Sequence, residues 1–301
     1  MITFTSLGRK GNLGNQLFQI ASTIGIAKKS DQDYVFPKWN YETYFKFDFP
    51  FSENLSHIKF KQIIEKTYSF HEWNLTDGDF DVNGVLQSEK YFDIAKTKEI
   101  FEFKEEFLES VQKKYQHLFN KKTIFISVRR GDFVGHSDYY QLSYKYYFLA
   151  LINNFLDWKE RNLIFMSDDI AYCKYHFSDL KNSFFLENCS AIEQLAISVR
   201  GDDFIISNST FSWWMAWLAE KEGTKIIRPI KNFRGSFAKI NNDNDYFPER
   251  WIIFNHKKYF LSLRYLPLII KGTFYEMAVD VKCASKRVLN LLEKVSKKIK
   301  R

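Results

Sequence analysis

Residues 205–218 read Ile-Ile-Ser-Asn-Ser-Thr-Phe-Ser-Trp-Trp-Met-Ala-Trp-Leu, joining an apolar strand to an aromatic helix through a hydroxyl-rich turn. The turn comprises residues 207–210. Its backbone N–H groups and hydroxyls lie at the positive end of the helix dipole. Such a junction stabilises a bound anion, and a strand followed by a helix is the building unit of parallel α/β sheets. The stretch therefore indicates an α/β fold with a candidate phosphate site.

The same stretch also has a purely structural interpretation. Ser209 or Ser212 can cap the helix, because a serine hydroxyl accepts a hydrogen bond from a free N–H group of the first turn. Trp213, Trp214 and Trp217 have the spacing of one buried helix face. Taken alone, the stretch favours this interpretation, so the phosphate site depends on the rest of the chain.

A second candidate segment lies near the start of the chain. Residues 8–19 read Gly-Arg-Lys-Gly-Asn-Leu-Gly-Asn-Gln-Leu-Phe-Gln, between an apolar run (2–7) and an apolar helical stretch (17–27). Glycine permits tight turns and lets a ligand approach the backbone closely, so a strand, a glycine-rich loop and a helix in this order form a candidate phosphate or sugar-phosphate cradle. The pattern is neither a Walker loop nor a dinucleotide-binding fingerprint, and alone it is weak.

A third segment lies in the middle of the chain. Residues 122–128, Lys-Thr-Ile-Phe-Ile-Ser-Val, predict a buried β-strand that leads directly into Arg129-Arg130-Gly131-Asp132. Open α/β sheets bind ligands at the carboxyl ends of their strands, where these guanidinium groups would lie. The alternative is a solvated Arg–Asp pair, which contributes little to stability.

Together the three segments closely resemble the motifs of the bacterial α-1,2-fucosyltransferases, glycosyltransferase family 11. The resemblance spans residues 4 to 254, with the segments in the expected order. The matching stretches are 11–16, 127–132 and 207–214, with supporting similarity at 85–92, 165–169 and 191–195.

The resemblance implies a GT-B architecture, in which two Rossmann-like α/β domains face a cleft. It also implies an inverting transfer of L-fucose from GDP-β-L-fucose to the 2-hydroxyl of a terminal galactoside in a surface glycan precursor. The chain's own pattern agrees with an α/β fold, because strand-like runs at 124–128, 163–166, 204–207 and 225–228 alternate with helical stretches. Residues 37–82 show no clear period. 

We place an acceptor-side α/β domain at residues 1–120, a GDP-fucose-binding α/β domain at 121–255 and a basic amphipathic helical tail at 256–301.

Fucosyl transfer builds negative charge on the departing diphosphate, so the site must supply positive charge and hydrogen-bond donors. Arg129 is the candidate catalytic residue that holds the β-phosphate, because its planar fork can bind two oxygens at once. Arg130 either assists it or braces the loop. Ser209 and Thr210, with the backbone that follows Asn208, are expected to form the second phosphate contact.

The resemblance suggests further donor contacts. It places Gly14 and Asn15 across the cleft, near the phosphates and the sugar. Asp168 or Asp169, after a predicted strand, can pair with the N1–H and amino group of guanine, although adjacent Asp residues are also common in loops and caps. Ser127 stands where the family usually has His, so only a hydroxyl can meet the nucleotide there.

The group that takes the proton from the acceptor hydroxyl is left open. Asp132 is the carboxylate nearest in sequence to Arg129, and it acts either as that base or, as we favour, by orienting an Arg through a salt bridge. Glu72, Glu89 and His136 are weaker candidates. A strongly dissociative transition state loses this proton late, so a powerful base is not essential.

We expect no metal and no other cofactor. Asp77-Gly78-Asp79 fits the Asp-x-Asp pattern of metal-dependent glycosyltransferases, but the pattern recurs at 31–33 and 243–245, as it does in ordinary turns. The six His and three Cys lack the spacing of zinc ligands. Three widely spaced Cys also argue against a disulfide framework and for a reducing compartment.

The net charge of +8 is concentrated at the C-terminus. Residues 256–301 contain twelve Lys or Arg and three Asp or Glu, which leaves a net charge of −1 for residues 1–255. The apolar segment 259–270 is too short to span a bilayer, but together with the stretch 282–292 and the Lys-rich end it suits an interfacial helix on anionic lipid. A solvated basic helix or a frayed end is the alternative.

The N-terminus shows no signal-peptide pattern, so we expect a cytoplasmic protein, either free in the cytoplasm or peripheral on the inner face of the membrane. Its expected partners are GDP-fucose and an oligosaccharide acceptor, either free or lipid-linked. Three other hypotheses stay open: a GDP-binding, glycan-binding protein with degenerate catalysis, a transferase for another GDP-sugar, and a nucleic-acid-binding tail. The near-neutral core and the lack of a nucleic-acid-binding motif argue against the last.

Overall fold

The computed structural model describes residues 1–52 and 54–299. The first half of the chain forms a five-stranded sheet in which all neighbouring strands are parallel, in the order β3-β2-β1-β5-β4. Its strands are β1 (Ile2–Thr3), β2 (Tyr34–Pro37), β3 (Phe51–Ser52), β4 (Lys61–Ile64) and β5 (Phe80–Asn83). Its helices are α1 (Leu13–Lys29), α2 (Ile94–Ile100) and α3 (Glu105–Lys114).

The second half forms a six-stranded parallel sheet in the order β11-β10-β9-β6-β7-β8. Its strands are β6 (Thr123–Val128), β7 (Asn162–Ser167), β8 (Ser183–Phe185), β9 (Asp203–Ile205), β10 (Ile226–Pro229) and β11 (Ile252–Phe254). Its helices are α4 (Tyr144–Asn154), α5 (Ile170–Phe177), α6 (Ala191–Ser198), α7 (Thr210–Ala219), α8 (Phe237–Ile240) and α9 (Leu266–Ile299). The strand order reverses between β6 and β9, and ligands bind at such switch points.

The four strand-like runs predicted from the sequence correspond to β6, β7, β9 and β10, so the predicted α/β class is confirmed. One expectation is corrected at the N-terminus: Gly14 and Asn15 lie in the first turn of α1 and not in a loop before it. The aperiodic region 37–82 contains β3, β4 and all but the last residue of β5, strands of only two to four residues each. Residue 120, the expected domain boundary, lies between α3 and β6.

An aromatic core joins the two halves through helices α1 and α7. Phe18 on α1 contacts Trp213 and Trp214 on α7, with ring centroids 4.6 and 5.0 Å apart. Trp213, Trp214 and Trp217 are fully buried, as their spacing predicted. Gly14 permits this contact, because a Cβ there would overlap the backbone of Thr210 and Phe211.

The C-terminal helix α9 packs against the second half over the part whose side chains are described. Tyr275 packs on Tyr172 of α5 with ring centroids 5.3 Å apart, and Lys271 pairs with Asp179 at 3.1 Å. The first turns of α9 are therefore neither frayed nor fully solvated. Residues 300 and 301, the end of the expected tail, lie outside the described residues.

Candidate functional site

The carboxyl ends of the second-half strands and the N-termini of α1 and α7 meet at a cavity of about 450 Å³, here called the central cavity. Both halves of the chain contribute to its walls. Its lining includes seven residues predicted as site residues: Gly14, Asn15, Arg129, Asp132, Asn208, Ser209 and Thr210. A smaller cavity of about 300 Å³, the side cavity, adjoins it and is lined by two further predicted residues, Ser127 and Asp168.

Two helix N-termini, α1 and α7, converge where the two cavities adjoin. Asn12, at the N-cap of α1, and Ser209, at the N-cap of α7, line both cavities. The Ser209 hydroxyl accepts a hydrogen bond from the Ser212 N–H at 3.2 Å, so its capping role is also observed. Each N-terminus carries roughly half a positive elementary charge. Their convergence produces a positive potential without a metal ion.

Arg129 adds a full positive charge at the same position. It follows β6 directly and lines both cavities. Its guanidinium pairs with Asp132 at 2.7 Å and with Asp168 at 3.1 Å, and about a quarter of the side chain is exposed. Two carboxylates therefore orient the guanidinium while it stays accessible from the cleft.

Asp168 also fixes the loop that carries Arg129. Its carboxylate accepts a hydrogen bond from the Arg130 N–H at 2.9 Å. Gly131 allows this close approach, because a Cβ there would overlap the Asp168 carboxylate. Asp168 thus lines the side cavity, as expected of a nucleotide contact, but its partners here are two groups of the arginine loop.

Arg130 and Asp169 face away from both cavities and brace this loop. The Arg130 guanidinium lies 3.8 Å from the ring centroid of Tyr172 and 5.4 Å from that of Tyr275, and Nε donates to Asp169 at 3.0 Å. Asp169 also accepts the Tyr172 N–H as the N-cap of α5. Of the two roles considered for Arg130, the geometry matches bracing.

A cluster of four serine hydroxyls underlies the side cavity. The Ser212 hydroxyl lies 2.7 Å from those of Ser127 and Ser207 and 3.1 Å from that of Ser209. All four side chains are buried. Ser127, which stands where the family usually has His, is thus part of a hydroxyl network that continues to the cap of α7.

The side chain of Asn208 makes hydrogen bonds that support the fold. Its buried side-chain amide donates to the backbone carbonyls of Tyr140 at 3.2 Å and Asn232 at 2.9 Å. These bonds tie the turn before α7 to the loop after β10. Asn208 therefore fixes the position of the neighbouring residues Ser209 and Thr210.

The first half contributes polar residues that the sequence did not single out, Glu65, Tyr68 and Gln87. The amide of Gln87 donates to Asn15 Oδ1 at 2.9 Å and accepts from the Tyr68 hydroxyl at 2.7 Å. The Tyr68 hydroxyl in turn accepts from the amide of Asn232 at 2.9 Å. The chain of hydrogen bonds from Asn15 to Asn232 links the two halves. Gln87 lies in a stretch that carried the family resemblance, whereas no sequence signal marked Glu65 or Tyr68.

The weaker base candidates do not line the central cavity. Glu89 pairs with Arg250 at 2.7 Å and accepts from the Trp217 indole at 3.0 Å, bridging the two halves. The Nδ1 atom of His136 lies 3.1 Å from the Asp138 N–H, and Glu72 lines a separate cavity beside Trp73.

No group of three or more His, Cys, Asp or Glu within the described residues could hold a metal ion. In the Asp77–Asp79 stretch, Asp79 pairs with the N-terminal ammonium group at 3.2 Å. Nor does any helix in the described part have the length and hydrophobicity needed to cross a membrane.

Comparison with known proteins identifies the family of the chain. A family model described as "Glycosyl transferase family 11" matches residues 3–255. Two curated relatives come from Escherichia coli. The O-antigen biosynthesis glycosyltransferase WbnK is 30% identical over 148 residues, 44% of this chain and 45% of the relative. An alpha-1,2-colitosyltransferase is 29% identical over 140 residues, 43% of this chain and 47% of the relative. The matched region thus spans about half the length of these relatives.

Solved structures with a similar fold include that of POFUT1 in complex with GDP. Its TM-score is 0.53 at 13% identity, covering 75% of this chain and 97% of that chain. The complex of POFUT1 with GDP-fucose gives a TM-score of 0.53 at 12% identity, with the same coverage. At this identity the likeness concerns the fold alone. The predicted GT-B architecture, two Rossmann-like halves facing a cleft, is confirmed.

Proposed function

The chain belongs to glycosyl transferase family 11, and from this premise we propose that it transfers L-fucose from GDP-β-L-fucose to an oligosaccharide. One observation carries the proposal: Arg129 and the N-termini of α1 and α7 meet between two adjoining cavities. A nucleoside diphosphate sugar matches this arrangement, because its charged diphosphate lies between the nucleoside and the sugar, as the positive groups lie between the two cavities.

In this proposal the guanosine occupies the side cavity and the diphosphate lies at Arg129 and Ser209. The fucose and the acceptor share the central cavity, beside Gly14, Asn15 and Thr210. When the phosphates bind Arg129, its pairing with Asp168 is exchanged for phosphate oxygens. Asp168 is then available to the guanine N1–H and amino group.

The proposed reaction inverts the configuration at C1 of the sugar. The bond between C1 and the phosphate oxygen breaks while the acceptor oxygen approaches from the opposite face, and the transition state carries positive charge on the sugar. Arg129 and the two helix N-termini stabilise the growing charge on the diphosphate. Since these groups supply the positive charge, we propose that the reaction needs no metal ion.

We propose the 2-hydroxyl of a terminal galactoside in an O-antigen or capsule precursor as the acceptor. The names of the two relatives support this proposal, since one acts in O-antigen biosynthesis and the other forms an α-1,2 linkage. The second relative is a colitosyltransferase, which favours a second candidate function, the transfer of colitose from its GDP derivative.

We further propose that the acceptor is lipid-linked and that residues 256–301 contact an anionic membrane at the cytoplasmic face. Opposite the face of α9 that packs on the protein, an apolar stripe with helical spacing is exposed, with Phe274 66% and Val281 67% accessible. The stripe consists of Leu266, Ile270, Phe274, Met277 and Val281. An apolar stripe on a strongly basic segment suits an interfacial helix.

Sedimentation with vesicles tests the membrane contact. Phosphatidylglycerol vesicles should bind the protein and phosphatidylcholine vesicles should not. Phe274→Glu should weaken the binding, whereas Leu156→Glu, a control at a 96% exposed side chain away from the tail, should leave it unchanged. Equal binding to both vesicle types, or no effect of Phe274→Glu, would contradict the contact.

The transfer itself is tested by measuring GDP release from GDP-fucose with and without lactose, in the presence of EDTA, followed by linkage analysis of the product. Lactose-dependent, EDTA-resistant release with an α-1,2 product is the expected result. GDP-colitose in place of GDP-fucose tests the second candidate. GDP binding without any transfer would favour a glycan-binding protein that has lost catalysis.

A further inference from the structure

A glycosyl transfer needs a destination for one proton. The acceptor oxygen forms a bond to C1 of the sugar, the bonding pair of the C1–phosphate bond leaves with GDP, and the hydroxyl proton must pass to a base. Two carboxylates from the described residues line the central cavity, Glu65 and Asp132.

Asp132 is poorly suited to this task. Its carboxylate is paired with Arg129 at 2.7 Å, and its side chain is 66% exposed. The Asp132 oxygen that pairs with Arg129 is already engaged as a hydrogen-bond acceptor. Asp132 also belongs to the same wall as the phosphate-binding groups, whereas an inverting reaction brings the acceptor from the face opposite the leaving phosphate.

Glu65 lies on the other wall of the cavity. It follows β4 at the carboxyl edge of the first sheet, and its carboxylate accepts the Val85 N–H at 2.7 Å and the Leu86 N–H at 3.2 Å. None of the ion pairs found among the described residues includes Glu65. It is therefore a partly buried carboxylate with backbone donors and no cation.

The loop around Glu65 is shaped to hold this carboxylate. A Cβ at Gly84 would lie 2.5 Å from the Glu65 Cβ and 2.6 Å from its Oε2, so only glycine allows the side chain to lie there. Leu86 adopts a φ of +52°, a left-handed conformation that is strained for a residue other than glycine. This conformation accompanies the two N–H groups that point at one carboxylate.

We propose that Glu65 is the catalytic base that accepts the proton of the attacking acceptor hydroxyl, an assignment that rests on the proposed transfer function. Burial, partly offset by the two N–H donors, raises the pKa of Glu65 to about 7. A carboxylate with this pKa is a stronger base than an ordinary one and is still largely ionised just above neutral pH. The wall that faces the phosphates therefore carries the proton acceptor.

The other ionisable groups on the walls of the cavity are Lys66, Tyr68, Arg129, Asp132, Tyr139 and Tyr246, and Tyr91 interacts electrostatically with Glu65. Burial raises the pKa of Tyr68 and Tyr246 well above the usual value and that of Tyr91 to about 12, so these phenols stay neutral. The acidic limb of the pH profile should thus report Glu65.

The competing explanation is that Glu65 only caps the loop. Glu65→Gln separates the two roles, because the amide oxygen can still accept the Val85 N–H but cannot take a proton. Glu193→Gln is the matched control, since the Glu193 carboxylate also accepts a backbone N–H, that of Ser190 at 2.8 Å, and lies outside the site. Thermal melting and GDP affinity show whether each variant is folded.

Glu65→Gln should lower kcat at least about 100-fold, the loss expected for a missing general base. Its GDP affinity should stay within about twofold of wild type, because the phosphate-binding groups are untouched. Glu193→Gln should retain wild-type kcat. In wild type, kcat/KM should fall as pH drops through about 7, and the residual activity of Glu65→Gln should lack this limb.

Two outcomes contradict the assignment while leaving the transfer function intact: wild-type kcat in Glu65→Gln, or a flat wild-type profile between pH 5 and 8. The profile needs no variant, so it decides even if Glu65→Gln does not fold. A wild-type protein that forms no product with any galactoside contradicts the transfer function itself, and the assignment of Glu65 falls with it.

Discussion

The two walls of the central cavity are built differently. On the second-half wall, the arginine loop follows β6 and Asp168 follows β7, strands of six residues each, whereas the phosphate turn (residues 207–210) follows the three-residue β9. The first-half wall is carried by loops after β4 and β5, which have four residues each. Arg129, which would bind the diphosphate, thus follows a longer strand than Glu65, which would meet the acceptor.

The walls are nevertheless coupled. Hydrogen bonds run from Asn15 through Gln87 and Tyr68 to Asn232, and from Asn232 to Asn208 beside the phosphate turn. Changes on the second-half wall should therefore affect donor chemistry strongly. Changes in the connecting chain should affect the acceptor more than the donor.

The largest expected effect is on the second-half wall. Arg129→Ala should lower kcat about 100- to 1,000-fold, because a positioned donor for the leaving-group charge is lost. The kcat of Arg129→Lys should lie between those of wild type and Arg129→Ala, because an ammonium group keeps the positive charge but cannot bind two phosphate oxygens as the planar guanidinium does. Steady-state kinetics with GDP-fucose and lactose measure both.

Arg200→Ala is the matched control for Arg129. Its guanidinium lies over the ring of Phe119, 4.5 Å from the centroid, and does not line either cavity. Wild-type kinetics are expected for this variant. If Arg129→Ala also kept wild-type kcat, the leaving-group charge would have to be held elsewhere.

A smaller effect is expected where the two walls touch. Gly14→Ala places a Cβ against the backbone of Thr210 and Phe211, which forces α1 and α7 apart. The expected loss of stability is about 1–3 kcal/mol, the usual cost of overpacking. Gly223→Ala is the control. Its φ of +82° strains the backbone of an alanine there, but no atom lies within 4 Å of the added Cβ. Thermal unfolding should show the larger loss for Gly14→Ala.

Removing one link between the walls should have a modest effect. Tyr68→Phe deletes a hydroxyl that joins Gln87 to Asn232, at a cost of about 1 kcal/mol, roughly fivefold in kcat/KM for the acceptor. GDP affinity should not change. Tyr140→Phe serves as the control, because the Tyr140 hydroxyl has no hydrogen-bond partner among the described residues. Equal effects of both variants would argue against a specific link.

A further expected effect concerns the pH dependence of stability. Because the pKa of Glu65 is raised to about 7 in the folded state, the folded protein binds more protons than the unfolded chain between pH 4.5 and 7. Glu65 therefore destabilises the fold progressively as pH rises through this window. His176, whose pKa burial lowers to about 4, has the opposite effect. The difference in melting temperature between wild type and Glu65→Gln, measured across this pH range, isolates the contribution of Glu65 to stability.

The sequence predicted the second-half wall well, because β6, β7 and β9 are apolar runs that end in recognisable motifs. It therefore identified Arg129, Ser209 and Thr210 at one cavity. It missed Glu65 and Tyr68, because the short strands of the first sheet give no period from which a strand end can be located.

Other differences arise from tertiary contacts that no local pattern encodes. Arg130 is held between Tyr172 and Tyr275, and Tyr275 is 145 residues away in the chain. Gly14 suggested a loop because glycine is common in turns. In the folded protein it is instead the residue that lets two helices touch.

The most direct test is a crystal structure of the protein with GDP bound. The proposed site predicts a diphosphate within hydrogen-bonding distance of the Arg129 guanidinium and the Ser209 hydroxyl, with guanine in the side cavity. A neighbouring cavity of about 520 Å³, lined by Arg130, Tyr172 and Tyr275, offers an alternative position. GDP bound there, with no phosphate at Arg129 or Ser209, would contradict the assignment of the donor site.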